Sequence, residues 1–236
     1  MIPLRDENPT RTMPIVVIAL IIINCVVFFV DQGGARGHVG ALAGLAMTPS
    51  EIVTGQDVGS PTIHPMWLTL FTSMFMHANL VHIGGNMLYL WIFGNNIEDT
   101  LGHLRFLVFY FAGGCIAGLA HILGSISNPI MANTPTVGAS GAIAAVLGAY
   151  LILFPGARVI CLVPFGFLYV TAVPAVVVLA LWFLIQILNV GAASGSHVAY
   201  WAHIGGFVAG VALILLMRGR GLMRRRRRDM YYPRYE

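Results

Sequence analysis

The chain has 236 residues, of which 58% are hydrophobic and only 9% charged. A water-soluble domain carries about a quarter charged residues, so a chain this apolar cannot cover its own surface in water and its solvent is lipid. Much of its positive charge is gathered at the C-terminus, in Arg218, Arg220 and the run at 224–228; directly after an apolar helix this is a topology anchor on anionic lipid, and no nucleic-acid partner is expected.

Crossing the hydrocarbon takes roughly 20 apolar residues, within about 17 to 25. Six segments fit or nearly fit. The first, 14–30, follows Arg11 and has no small-x-small cleavage site directly after it, so it reads as a retained signal-anchor helix. The second covers 80–97 and the third 106–123; the fourth, 140–154, is short; the fifth covers 173–188 and the last 198–217. The expected fold is an all-α polytopic membrane protein with six transmembrane helices. An even number of spans puts both termini on one side. Cytoplasmic termini collect Arg5, Arg11, Arg105, Arg158 and the C-terminal cluster inside, leave only Arg36 outside, and make 124–139 and 189–197 charge-free outer segments. The expected organisation is a cytoplasmic N-terminal segment at 1–13, one membrane domain at 14–217 and an Arg-rich cytoplasmic tail at 218–236, in the plasma or inner membrane of the cell.

The first outer loop, 31–76, is too long for a simple connection. Its Trp67, Leu68, Leu70, Phe71, Met74 and Phe75 are apolar enough to enter the interface, so a partly embedded element is expected, with Trp67 near the headgroups. The plainer alternative is that this stretch begins a longer second helix. Cys25, Cys115 and Cys161 lie in apolar stretches without metal-ligand spacing and read as free thiols.

Strongly polar side chains inside spans are costly, so each needs a reason. Those that stand out are His77, His82, Asn86, Ser140 and His203, with Asn24, His121 and Gln186 also within spans. Ser140 opens the fourth segment in Gly138-Ala139-Ser140-Gly141, ahead of Ala142, Ala144, Ala145, Gly148 and Ala149. Taken alone, this string is a small-residue face that lets helices approach closely. His203 shares one helical stripe with Gly206 and Gly210, at i, i+3 and i+7, and so faces a close neighbour rather than lipid. If that neighbour is the fourth helix, imidazole and hydroxyl come within reach, and a serine becomes nucleophilic only when such a base takes its proton. A structural histidine bonding a carbonyl is the alternative.

His82 and Asn86 are i, i+4 and share a face, where their donors suit an oxygen that becomes negative during acyl transfer; an interhelical polar clamp is the alternative. His77 sits near the outer start of the same helix. His77 and His82 are five apart and point to different faces, and no acidic residue lies in the outer half of any span, so neither a metal nor another cofactor is expected. Nucleophile, base and donors all fall in the outer leaflet. A proton-relaying transporter would need polar groups across the whole membrane, and here they stop halfway.

Together these strings resemble the rhomboid family of intramembrane serine proteases: His77-Ala78-Asn79-Leu80-Val81-His82 with Asn86, then Gly138-Ala139-Ser140-Gly141, then His203-Ile204-Gly205-Gly206 with Gly210. Gly94 with Glu98, Leu101-Gly102, Pro3-Leu4-Arg5-Asp6 and Asn24 resemble it too, so the likeness runs from about residue 1 to 217. The resemblance implies a catalytic dyad of Ser140 and His203, and an oxyanion hole of the Ser140 amide with the His82 and Asn86 side chains. His77, Gly138, Gly141 and Gly206 would support it. It further implies a water-filled cavity open to the outside, and single-span membrane proteins as substrates, cut in or near the transmembrane segment. A member without catalysis that only binds client helices is the alternative. Two positions depart from the family pattern. Leu68 follows Trp67 where an arginine is expected, and Ala144 stands where an aromatic ring would support the histidine, a task Trp201 or another ring would have to take over.

Overall fold

The computed structural model describes residues 1–33, 43–58, 61–165, 167–192 and 198–217. Arg36 and the Arg-rich segment 218–236 lie outside the described residues, as do parts of the first loop and of 189–197.

A short strand, β1 (Ile2–Asp6), precedes α1 (Ile15–Gly33). The described part of the first loop then folds into a 3-10 turn (Ala43–Leu45), α2 (Pro49–Thr54) and two further 3-10 turns with α3 (Thr69–Thr72) between them. Next come α4 (Leu80–Tyr89), a π-helical turn (Leu90–Gly94) and α5 (Asn95–Leu101), which run as one helical rod. Gly102, at φ 79°, ends that rod, and α6 (His103–Ser125) starts at once. After the short α7 (Pro129–Ala132) and α8 (Ser140–Leu153), a hairpin of β2 (Arg158–Phe165) and β3 (Phe167–Pro174) leads to α9 (Ala175–Ala192) and α10 (Tyr200–Met217).

The protein is therefore mostly helical, but not all-α. β1, β2 and β3 form an antiparallel sheet in that order, with Asp6 opposite Val159 and Arg158 opposite Pro174. Its sequence signal is the β-branched and aromatic content of the hairpin around Pro164, including Val159, Ile160, Val163, Tyr169, Val170, Thr171 and Val173. Val159 and Cys161 point from β2 into the helical core. The N-terminal segment is thus folded onto the bundle rather than separate from it, and the fifth apolar segment becomes helical only at Ala175, two residues after its expected start.

α8 is the central helix. Every residue from 141 to 150 is buried, and α6 and α10 press against it where side chains are smallest. A Cβ on Gly206 would fall 2.2 Å from the Gly141 carbonyl oxygen, one on Gly148 2.2 Å from that of Phe207, and one on Gly113 2.5 Å from Ala145 Cβ. Backbone therefore meets backbone across α8 and α10. The outer helices do the reverse: α1 exposes Ile22, Val26, Phe29 and Val30, and α9 exposes Leu181, Leu184, Ile185 and Leu188. Apolar surfaces this extensive suit hydrocarbon rather than water. Among the described residues, His103–Ser125 and Tyr200–Met217 are long and apolar enough to cross a membrane; four shorter apolar helices accompany them.

The two ends of the bundle differ. One holds the sheet, with Arg5, Arg11, Arg105 and Arg158, and is tied together by acidic side chains. Glu98, fully buried, accepts from the amides of Val16 (2.9 Å) and Val17 (2.8 Å) at the start of α1 and stands 2.6 Å from His103 Nδ1. Asp99 accepts from the amide and hydroxyl of Thr12. Asp6 accepts from Tyr150 Oη (2.6 Å) and Asn96 Nδ2 (2.8 Å), joining β1 to α8 and α5. Burial raises the Asp6 carboxyl above its ordinary value, against the lowering effect of these hydrogen bonds.

The first loop closes over the opposite end, and buried Glu51 ties that loop together by accepting from the Val58 amide and the Thr62 hydroxyl, both at 2.8 Å. Met47 and Thr136 exchange backbone hydrogen bonds at 3.0 and 2.8 Å, while Phe71 and Phe75 pack on Phe111 of α6. The apolar stretch at 67–75 does not lengthen the second helix: Met76 is extended (ψ 146°), and Asn79 caps a new helix by accepting from the His82 amide. Trp67 is about half exposed (53%), with its ring edge-on to Phe71.

Candidate active site

Ser140 is the first residue of α8, reached through a tight approach. Gly138 adopts φ 127° and donates its amide to the Ser73 carbonyl (2.9 Å), which pins the loop before α8 to the first-loop segment. That backbone conformation disfavours a side chain. α8 has 14 residues and is about 21 Å long at 1.5 Å per residue, short of a hydrocarbon layer of about 30 Å. A helix of that length starts below one face if it reaches the other. The Ser140 amide, at the helix start, has no intrahelical acceptor and adds its share of the positive helix end.

His203 lies in the first turn of α10. Its Nε2 is 2.8 Å from Ser140 Oγ, and its Nδ1 is 2.8 Å from Oε1 of Gln186 on α9. The backbone contact of Gly206 on Gly141 and that of Gly210 on Ala145 set this distance, because α8 and α10 can approach no closer. Two aromatic groups flank the imidazole: Trp182 with ring centroids 5.7 Å apart and tilted 37°, and Tyr200 at 6.3 Å edge-on. Ala144 is fully buried beside Gly206 and offers no ring. Trp201 does not replace it, since its indole lies over Gly124 of α6. Trp182 and Gln186 are one turn apart on α9. Sequence reasoning noted Gln186 as a polar group in a span but gave it no task, and it missed Trp182; the i, i+4 spacing of a large ring and an amide was the available signal.

His82 and Asn86 project from α4 toward the loop that carries Gly138. A Cβ on Gly138 would fall 2.7 Å from His82 Nε2 and 3.6 Å from Asn86 Nδ2, so the missing side chain leaves these two nitrogens a shared space two residues before Ser140. The Ala78 amide faces His82 Nδ1 at 3.4 Å, which makes Nδ1 the acceptor and leaves Nε2 to carry the proton. Asn86 Nδ2 is buried with no hydrogen-bond partner among the described residues. Two donors thus point at a place where no acceptor sits. A buried donor left unpaired costs about 1–3 kcal/mol, which an incoming oxygen would recover. His77 is buried with its ring edge-on to His82 at 5.0 Å. His121 of α6 lies nearby, with Nε2 3.1 Å from Thr136 Oγ1.

The structure therefore brings Ser140, His203, Gly141 and Gly206 together at the α8–α10 contact, and His77, His82, Asn86 and Gly138 together at the start of α4. Gly138 links the two groups through Ala139. No three His, Cys, Asp or Glu side chains among the described residues converge as a metal site. Cys25, Cys115 and Cys161 are free thiols.

A buried helix that begins with a serine hydroxyl against an imidazole, inside a bundle with apolar outer faces, describes a class of membrane-embedded proteins. The chain belongs to the rhomboid family: the model of the rhomboid domain matches residues 64–220. Members of this family are membrane proteins. Among curated proteins, the chain is similar to Rhomboid protease GluP of Bacillus subtilis, 31% identical over 176 residues, which is 75% of this chain and 32% of that protein. It is also similar to Putative rhomboid protease YdcA of Bacillus subtilis (31% over 103 residues, 44% of this chain and 48% of that one). A third relative is the mitochondrial Presenilin-associated rhomboid-like protein of Homo sapiens (34% over 89 residues, 38% and 23%). The matched segments thus span between about a quarter and a half of the length of these relatives.

Proposed function

We propose that the chain is an intramembrane serine endopeptidase that cleaves single-span membrane proteins in or near their transmembrane segment, using Ser140 as nucleophile and His203 as general base. The observation that carries this reading is the 2.8 Å contact between Ser140 Oγ and His203 Nε2, at the start of a buried helix. Two relatives bear the name rhomboid protease.

In the reaction, His203 Nε2 takes the Ser140 proton as Oγ attacks the scissile carbonyl carbon. The carbonyl π bond opens, and the negative oxygen accepts hydrogen bonds from Asn86 Nδ2, His82 Nε2–H and the Ser140 amide. Collapse of this intermediate breaks the C–N bond, and His203 returns its proton to the leaving amine. Water then attacks the acyl ester carbon while His203 takes its proton; the C–Oγ bond breaks, the acid product leaves, and His203 returns the proton to Ser140 Oγ. Asn86 Nδ2 suits the role because it is a buried donor with no partner among the described residues.

The same reading gives six transmembrane passages: α1, the rod from Leu80 to Leu101, α6, α8, α9 and α10. In this reading the sheet end and both termini are cytoplasmic, which the arginines at the sheet end support through the positive-inside rule. The site then opens to the extracytoplasmic side beneath the first loop, whose Trp67 lies at the headgroups, and membrane lipids contact the apolar faces of α1 and α9. A client-binding protein without catalysis would need none of the unpaired donors. Ser140→Ala is expected to abolish cleavage of a single-span substrate in liposomes and to abolish labelling by a fluorophosphonate, while the protein stays folded. Full activity in that variant would reject the dyad.

A further inference from the structure

We propose that Gln186 is a positioning residue for the histidine base, acting as a neutral counterpart of the carboxylate that orients the histidine in a catalytic triad. The inference rests on the serine-protease reading and deepens it.

A neutral imidazole has two tautomers, and only the one with its proton on Nδ1 leaves a lone pair on Nε2 to receive the Ser140 proton. The orientation of the Gln186 amide selects between them. Gln186 Nε2 donates to the Trp182 carbonyl at 2.9 Å, one turn back on α9, and Gln186 Oε1 stands 2.8 Å from His203 Nδ1. Turning the amide over would set Oε1 against the Trp182 carbonyl, two acceptors facing each other with no proton between them. The amide is thus fixed with its oxygen toward the imidazole, and an oxygen there requires Nδ1 to be the donor. Gln186 is buried (6% exposed), so water does not compete for either bond.

The ring plane is held by the same helix. Trp182 lies against the imidazole at 5.7 Å and against Phe207 at 6.2 Å, and Phe183 stacks on Phe207 at 4.3 Å. α9 therefore supplies both a ring contact and a hydrogen bond to a base carried by α10. That accounts for how His203 is held although residue 144 is alanine. A neutral amide suits a site bounded by hydrocarbon, where a carboxylate in that place would carry a large desolvation cost whenever the imidazole is neutral.

Gln186→Met keeps the side-chain volume and removes the acceptor; Gln186→Glu keeps an acceptor oxygen. For the full chain in liposomes with a single-span substrate, Gln186→Met is expected to lower kcat roughly tenfold to a hundredfold with KM within about twofold, because the base is misaligned while substrate contacts remain. Gln186→Glu is not expected to recover that loss, because its second oxygen would face the Trp182 carbonyl with no proton between them and a carboxylate there carries the desolvation cost. Histidine 15N NMR of the wild-type protein in detergent, with His203 assigned by difference against His203→Ala, is expected to show Nδ1 protonated and Nε2 bare. A wild-type kcat in folded Gln186→Met, or a His203 protonated on Nε2, would overturn the inference. The NMR result decides the matter if Gln186→Met does not fold. Ser140→Ala runs in parallel: if it still cleaves, the serine-protease reading itself has failed; if it is dead while Gln186→Met is fully active, only the role of Gln186 has.

Discussion

Adding one methyl group at Gly206 tests whether the α8–α10 contact sets the Ser140–His203 distance on which the proposed catalysis depends. The ideal Cβ of residue 206 would lie 2.2 Å from the Gly141 carbonyl oxygen, 3.1 Å from its carbon and 3.2 Å from Ala144 Cβ. A carbon–oxygen contact relaxes only beyond about 3.2 Å, so roughly 1 Å has to be found, and backbone stands on both sides of the clash. The helices must then part or slide by about that amount, one residue from Ser140 and three from His203. The Ser140–His203 contact of 2.8 Å would lengthen to about 3.8 Å, beyond hydrogen-bond range. Overpacking of this kind costs about 1–3 kcal/mol of stability, and a 1 Å misplacement of reacting groups about a hundredfold in rate. Gly206→Ala is therefore expected to melt several degrees lower and to lose about two orders of magnitude in kcat and in fluorophosphonate labelling rate. Gly156→Ala, where nothing lies within 4 Å of the new Cβ, serves as the control and should match wild type. Wild-type labelling and cleavage rates in a folded Gly206→Ala protein would refute the idea that this contact spaces the dyad.

Removing the unpaired donor in Asn86→Ala is expected to cut kcat about a hundredfold or more while thermal stability holds or rises, since a buried orphan is deleted; cleavage and melting measured on one preparation check it. Glu98→Ala strips two amides at the start of α1 and His103 of a buried acceptor, so a loss of about 3–5 kcal/mol is expected in denaturant unfolding, far from the dyad. The Asp6 carboxyl is raised by burial, so its contribution to stability is fully present below its unfolded value near 3.8 and is lost as pH rises through the higher folded value. Relative to Asp6→Asn, wild type should therefore lose melting temperature as pH climbs from about 4; a difference that is flat with pH would contradict this. Trp182→Ala should lower kcat by removing the ring contact on His203, whereas Trp201→Ala, on Gly124, should leave kcat within a few-fold in the same cleavage assay.

Much of this protein follows from one-dimensional pattern, because lipid makes the rules simple. Each of the six apolar runs becomes helical, and every one of the expected segments begins within three residues of an observed helix start. A polar side chain in such a run is expensive, so Ser140, His203, His82 and Asn86 stand out without any structure, and the i, i+3, i+7 stripe of His203, Gly206 and Gly210 indicates a close neighbour. Periodicity gives the face of a helix but not which helix it meets, nor at what rotation. That choice belongs to packing. Only the tertiary structure decided that α9 turns Gln186 and Trp182 onto His203, that Trp201 turns away to Gly124, and that Ala144 needs no ring. It also decided that residues 2–6 add a strand to the hairpin at 158–174, because strand pairing depends on partners more than 150 residues apart. Sequence pointed to the serine, the histidines and the asparagine of the candidate site; the backbone contacts of α8 and α10, and the face that α9 presents, determined which nitrogen of His203 meets the serine.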